Sequence, residues 1–452
     1  MAVSGIDSTL FRDQFSTAPM RRAFDDLATV QKWLDVEAAL ARAEAGLGII
    51  PDDAAKEITR AADVTLYDLD AMRDAMAKTS HPIVPLVRAM AAQCARQGAA
   101  KAGEYVHWGA TTQDIMDTGL VLQMKDAVAL IEDGLAALDA ALADKAKAHR
   151  DTPMAGRTHG QQALPVTFGY KVAVWLDEVR RHRRRLTEMA PRVLTGQFSG
   201  AVGTFAAIGD QGPEVARRMM ADLGLAAPVI SWHVAKDRIA EYAGVLANIA
   251  GTMGKIAHEV ATLQRTELAE LEEPHQPGKV GSSTMPQKRN PSTCEGIQAL
   301  ARAAWACVPP AFEGTMAEHE RDKVANQAER DFVPRLSCYT EAAIRKVIFV
   351  ISGLTVRAEN MRRNLDISGG LLLSEAVMMK LGEKIGRNTA HDVVYAAAME
   401  AFEKNLVFRD LLLKDKRVTD ALSTAELDAL LDPAKYTGLS ARLVDAVLAA
   451  TV

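Results

Sequence analysis

The sequence predicts an all-α protein built around several long helices. Aromatic residues make up only 5% of the chain. Segments such as ALIEDGLAALDAALADKAKAH are dense in Ala, Leu and charged residues, all good helix formers, and apolar positions recur at three and four. From Ile115 to about His149 one face carries Leu120, Met124, Val128, Ile131, Leu135, Leu138 and Leu142, with no internal proline. That is a helix of roughly 35 residues, about 50 Å long.

The other elements follow in chain order. Val30, Trp33, Leu34, Leu40 and Leu47 mark an amphipathic helix that stops before Pro51. A Gly/His/Thr-rich stretch at 103–118 separates this N-terminal region from the long-helix region. Further long helices are expected over Pro165–Glu188, from Asp237 to about Leu271, and over Ser292–Trp305 with a continuation past Pro309 and Pro310. GLTVRAENMRRNLD at 353–366 opens a C-terminal helical piece. The expected domains are therefore 1–110, 111–355 and 356–452. Helices this long, with apolar faces too broad for one antiparallel pair to bury, predict a bundle completed by oligomerisation.

Composition excludes several classes. The 452 residues are 48% hydrophobic, ample for a large core, and 53 Lys plus Arg against 58 Asp plus Glu give a net charge of −5. Nothing there is a basic footprint for nucleic acid or an anionic membrane. Cys94, Cys294, Cys307 and Cys338 fall in no metal-like spacing and read as reduced core thiols. The N-terminus carries no signal peptide, and the longest uncharged stretch, 193–209, holds four glycines and makes a poor membrane span, so a cytoplasmic location is expected. No HExxH or other clustered ligand set points to a metal, and no cofactor is expected. The run Arg180 to Arg185 reads as a solvated or inter-subunit ion-paired face, with Asp177 and Glu178 one turn earlier. Met219, Met220, Met378 and Met379 read as core filler, and Trp175 and Trp305 need no cofactor.

Three segments interrupt the helical pattern with polar residues and glycine. In His107-Trp108-Gly109-Ala110-Thr111-Thr112-Gln113-Asp114 the plain reading is helix capping by Thr112 and Asp114. The functional one is a carboxylate site of hydroxyls, an amide and free backbone N–H groups at a helix N-terminus. Gly156-Arg157-Thr158-His159-Gly160-Gln161-Gln162 is either a solvated loop or a cluster around a small anion, with His159 the proton-transfer candidate. The stretch 277–291, PGKVGSSTMPQKRNP, is a long loop that matches neither a phosphate-binding P-loop nor a serine-hydrolase elbow.

This last loop resembles the signature of the fumarase/aspartase superfamily, GSSxMPxKxNP, matched in full from Gly281 to Pro291. The two other regions of that superfamily are matched by GATTQDIMDT and RTHGQ in the expected order, so the resemblance spans the chain. It implies three largely helical domains around a central long-helix bundle, and a homotetramer whose active sites each draw the three segments from three subunits. The chemistry implied is addition to, or elimination across, a carbon–carbon double bond beside a carboxylate of a small polycarboxylate. The difficulty is a carbon-bound proton whose removal gives a doubly charged aci-carboxylate, which the site must stabilise with preorganised donors. By the resemblance Ser282 is the base, Lys288 and Asn290 stabilise the developing charge, and His159 is the general acid. Thr158, Gln161, Ser283 and Met285 lie beside the substrate, and Thr111, Thr112 and Gln113 form the carboxylate-binding segment. His81 matches an active-site histidine of adenylosuccinate lyases, with a capping or structural role as its alternative.

Among the branches, FxxAPMRxxF near the N-terminus, Trp232-His233 before Lys236-Asp237-Arg238, and LLDPAKYTG at 430–438 look like the bacterial 3-carboxy-cis,cis-muconate cycloisomerases. Gln14-Phe15 stands where adenylosuccinate lyases carry an Arg-Tyr pair for a phosphate. Conversely, Arg321 and Arg330 match substrate-contacting positions of adenylosuccinate lyase, with Asn326 replacing the serine between them. The cycloisomerase branch is placed first, and a fumarate-releasing elimination from an N-substituted aspartate is the alternative. A catalytically silent scaffold, as in the lens crystallins resembling argininosuccinate lyase, is opposed by Ser282, Lys288, Asn290 and His159 occurring together.

Overall fold

The computed structural model describes residues 3–275, 278, 284–285 and 287–450. The chain divides into two compact units: Met1–Leu135, His182–Gly251 and Ala299–Arg345 in the first, and Ala136–Arg181, Thr252–Gln298 and Lys346–Val452 in the second. The architecture is helical, with two short two-stranded ribbons.

The expected long helix runs from Thr112 to Ala148, with Met124, Ile131, Leu135, Leu138 and Leu142 fully buried on the face that the periodicity marks. The first long helix is Asp26–Ala45, started by Asp25, whose side chain accepts the Ala28 N–H at 2.8 Å. It packs on Asp52–Ala61 and Gly212–Leu223 around Leu34, Leu40, Ile58, Met219 and Met220. Asp237–Leu263 ends about two turns earlier than its apolar pattern suggests, and Ser292–Ala306 is followed by a separate Val308–Glu313 helix. Lys323–Ser352 is a further long helix that the pattern did not single out, because Pro334 interrupts it; a helical proline removes one backbone bond without ending the helix when both flanks are packed. In the second unit, Ser374–Ile385 and Arg387–Lys404 join through Val377, Leu381, Ala390 and Val393.

The expectation of a helix opening at Pro165 is corrected. Pro153–Thr158 and Gln161–Thr167 form an antiparallel hairpin, and the helix is Phe168–Val193. Pro165 sits in a strand opposite Ala155, which a two-stranded ribbon tolerates because every strand has a free edge. The polar residues read as a loop are the two-residue turn, where His159 (φ 53°) and Gly160 (φ 76°) both take the left-handed conformation that suits the ribbon's twist.

The plain readings hold in part. All four cysteines are buried. The arginine run is paired within the chain, Arg180 to buried Asp139, Arg181 to Asp177 and Arg183 to Glu132. Met379 and Trp305 are not core: they are 58% and 52% exposed, since neighbours of Met378 and Ala304 on a helix turn about 100° away from the buried face. Among the described residues no helix is long and apolar enough to cross a membrane.

Candidate functional site

In the first unit, the start of the Thr112–Ala148 helix is held by two buried aspartates. Asp114 accepts the backbone N–H groups of Thr111 (3.0 Å), Gly200 (3.0 Å) and Ser199 (3.2 Å). His233 Nε2 lies 2.8 Å from the same carboxylate. The expected N-cap at Thr112 or Asp114 is corrected: the helix begins at Thr112, so Thr111 is the N-cap and Asp114, in the first turn, reaches back to its backbone N–H.

One turn further, Asp117 collects four donors. Its Oδ2 accepts from Gln113 Nε2 (3.0 Å), Gln197 Nε2 (2.6 Å) and Lys236 Nζ (3.2 Å), and its Oδ1 from Asn326 Nδ2 (2.7 Å). Lys236, 1% exposed, also reaches Glu329 Oε2 at 3.1 Å and lies 5.1 Å from the Trp232 ring centre. Burial pulls the Lys236 ammonium down, but Asp117 and Glu329 outweigh it and hold the pKa above the ordinary lysine value. Burial pushes Glu329 well above the usual carboxylate range, with Lys236 opposing.

The predicted binding residues of this unit gather around that frame. Arg321 Nη2 donates to Thr111 Oγ1 and to the Ala201 carbonyl, both at 2.6 Å. Arg330 donates to Asn326 Oδ1 and Met116 Sδ at 3.4 Å, and burial lowers its pKa against the opposing pull of Asp117 and Glu329. Arg330 and Asn326 line a cavity of about 260 Å³ whose other walls include Trp33, Met76, Pro82 and Met116. His81 is held below its ordinary pKa, first by burial and then by Arg330, Lys323, Arg321 and His107, and its buried Nδ1 has no hydrogen-bond partner. Thr112 is partly buried in the first turn of the helix. Gln113 uses both amide hydrogens, on Asp117 and on the His233 carbonyl (2.8 Å), so only its carbonyl oxygen is left for a ligand, not the donor that the sequence reading expected.

His107 is the residue that sequence reasoning passed over. Its Nδ1 sits 2.6 Å from Oε1 of fully buried Glu37; burial alone would lower its pKa, but Glu37 raises it above the ordinary value. The only sequence signal was Gly109 two positions on; in the structure both His107 (φ 64°) and Gly109 (φ 66°) are left-handed, which holds the segment out of the helix. Lys236 was marked only as part of the Trp232-to-Arg238 resemblance; nothing local showed it buried, since a lysine at a helix start reads as solvated until its carboxylates are located.

In the second unit, Thr158, His159 and Gln161 are exposed at the tip of the hairpin. Of the signature loop, Met285, Lys288 and Asn290 are described: Lys288 is exposed, its N–H donating to the Met285 carbonyl (3.0 Å), and Asn290 is half-buried. Ser282 and Ser283 lie outside the described residues. The loop's C-terminal flank is secured on the 270–273 segment. Arg289 pairs with Glu272, its carbonyl accepts from Gln264 Nε2 (3.1 Å), and Glu273 caps the next helix through Thr293 N (3.1 Å) and Cys294 N (3.0 Å).

Comparison with known proteins gives this arrangement its context. The profile of the family described as "Lyase" matches residues 12–305, and that described as "Adenylosuccinate lyase C-terminus" matches residues 370–447. The chain is 46% identical over 445 residues to N-acetyl-S-(2-succino)cysteine lyase of Enterococcus italicus, covering 98% of this chain and 97% of that one. It is 45% identical over 440 residues to 3-carboxy-cis,cis-muconate cycloisomerase of Pseudomonas aeruginosa, covering 97% and 96%. It is 40% identical to adenylosuccinate lyase of Methanocaldococcus jannaschii over 99% of this chain and 96% of the relative. Among solved structures, the 3-carboxy-cis,cis-muconate lactonizing enzyme of Pseudomonas putida superposes with a TM-score of 0.91 at 39% identity, covering 98% of each chain. Fumarate lyase of Mesorhizobium sp. BNC1 superposes at 0.90 with 40% identity, covering 97% and 99%.

Proposed function

Because the chain belongs to the fumarase/aspartase superfamily of lyases, we propose that it catalyses β-elimination from a succinate substituted at C2 through nitrogen or sulfur, releasing fumarate. The observation that carries this choice is the cavity beside Arg330 and Asn326, whose lining joins that cation and the carboxylates Asp26 and Asp117 to apolar walls such as Trp33, Met76 and Pro82. A leaving group with a charged end and an apolar body fits such a space, whereas lactonisation produces no leaving group to house.

In this reading the succinyl carboxylates bind to Thr111, Thr112 and Arg321, with Arg330 facing the leaving group. Ser282, as alkoxide, takes the proton from the carbon beside the carboxylate, and the electron pair passes into the aci-carboxylate. Lys288, Asn290 and backbone N–H groups of the loop stabilise that charge. The pair then forms the double bond as the carbon–heteroatom bond breaks, and His159 delivers a proton to the departing nitrogen or sulfur. Ser283 and Met285 bind the substrate on the Ser282 side, and Thr158 and Gln161 on the His159 side. His81, its pKa lowered first by burial and then by its cationic neighbours, serves as a hydrogen-bonding contact rather than a charged one. The working form is a homotetramer whose sites are shared between subunits, consistent with the apolar breadth of the long helices.

Lactonisation of 3-carboxy-cis,cis-muconate is the second reading, supported by the 45% identical relative and the 0.91 superposition. The deciding experiment offers the purified protein N- and S-substituted succinates, adenylosuccinate, argininosuccinate and 3-carboxy-cis,cis-muconate, and follows the ultraviolet absorbance of each. Fumarate appearing from substituted succinates is the expected result; consumption of the muconate alone overturns the elimination reading.

A further inference from the structure

We propose that Arg157 is a positioning residue that fixes the hairpin tip, and His159 with it, through a buried anchor on Glu270. The proposal rests on the elimination reading, in which His159 must meet the departing atom.

An isolated two-stranded ribbon is marginally stable, so its tip needs an outside reference to hold a side chain in place. The first strand leaves regular pairing at Gly156, between Ala155 and Arg157, and a Cβ at Gly156 would lie 2.6 Å from the Leu164 carbonyl oxygen. Past this irregularity Arg157 pairs with Gln162 in the ladder, and Thr158 with Gln161 closes the turn that carries His159. Only Thr158 lies between Arg157 and His159, a reach of about 7 Å along the chain.

Arg157 meets Glu270 fork to fork, Nη1 to Oε2 at 2.9 Å and Nη2 to Oε1 at 2.6 Å. The planar pair fixes direction as well as distance, which a lysine could not do. Glu270 is fully buried and cannot drift. Its Oε1 also accepts from Asn364 Nδ2 (2.8 Å), its N–H donates to the Leu263 carbonyl (2.9 Å), and its carbonyl accepts the Arg357 N–H (2.9 Å). Asn364 and Asn360, on the helix Ala358–Leu365 that packs on the first strand, hold the Leu268 and Ala269 carbonyls at 2.8 and 2.7 Å. The guanidinium therefore ties an otherwise exposed tip to a point fixed by two other chain segments. A general acid must come within hydrogen-bond reach of its target, and a displacement of about 1 Å costs roughly 100-fold in rate.

The test compares Arg157→Met, Arg157→Lys and Glu270→Gln with Lys171→Met, which breaks an ion pair to Glu259 (2.7 Å) on the helix after the hairpin. Turnover of a substituted succinate gives kcat and KM, and hydrogen exchange measured by mass spectrometry follows peptides over 153–167. Arg157→Met should lower kcat by about 100-fold with KM within about threefold, and should speed exchange in the hairpin. Arg157→Lys should recover part of both, Glu270→Gln should fall between, and Lys171→Met should match the parent. A folded Arg157→Met with parental hairpin exchange overturns the proposal, as does faster exchange with unchanged kcat. If Arg157→Met does not fold, Arg157→Lys and Glu270→Gln are read by the same criteria. Absence of turnover by the parent protein counts against the elimination reading alone, and the exchange measurement then decides the role of Arg157.

Discussion

Replacing Lys236 by methionine removes the ammonium from between two buried carboxylates while nearly keeping side-chain length. Its Nζ lies 3.2 Å from Asp117 and 3.1 Å from Glu329. Each attraction is about 5 kcal/mol at an effective dielectric of about 20, set against several kcal/mol of desolvation per ion. The intact network is therefore near balance, but truncating its cation leaves the whole penalty. We expect Lys236→Met to lose about 3–5 kcal/mol above neutral pH. The loss should depend on pH with a definite sign. The folded pKa of Glu329 is raised, so the folded state binds more protons than the unfolded one, and the cost of the charged carboxylate grows as pH rises through that pKa. Without Lys236 the pKa moves higher still, so the deficit should be smallest near pH 5 and should still be growing at pH 8. Urea denaturation at fixed protein concentration measures it, and Lys236→Met combined with Glu329→Gln should regain about half. A deficit under about 1 kcal/mol at pH 8, or one that grows on acidification, would refute the reasoning.

Three further outcomes are expected. Ser282→Ala and His159→Asn should each lower kcat by about 100-fold or more with far-ultraviolet circular dichroism unchanged, and mixing the two inactive proteins should regain activity if sites are shared between subunits. Arg330→Met should raise KM by roughly 10- to 150-fold for substrates with a charged leaving group, with little effect on those with a neutral one. Arg321→Gln removes one cation that holds His81 down, so the imidazole titration, followed by NMR, should move to higher pH; an unchanged or lowered midpoint would show that burial alone governs it.

How much of the site could be read in advance differs by residue. The periodicity from Ile115 onward gives the long helix and its buried face because both depend on local propensity and spacing. That Asp114 serves the helix start follows from its place there, although it does so from the first turn and not as the N-cap. The hairpin escaped because its turn residues and Pro165 look like loop and helix signals; the choice is made by pairing between strands, which a local pattern cannot register. His107 stood in a segment already marked as unusual, yet its partner Glu37 lies 70 residues earlier.

The chain alone therefore determines its helical class, the order of its three polar segments and its membership of a superfamily, since these reside in composition, period and contiguous motifs. Which groups are charged, which amide hydrogens remain free and what holds His159 are decided by the fold. Asp117 with Lys236, Arg157 with Glu270 and His107 with Glu37 are pairs between distant segments. Their energies come from burial and from separations of a few ångströms, quantities that exist only once the chain is packed.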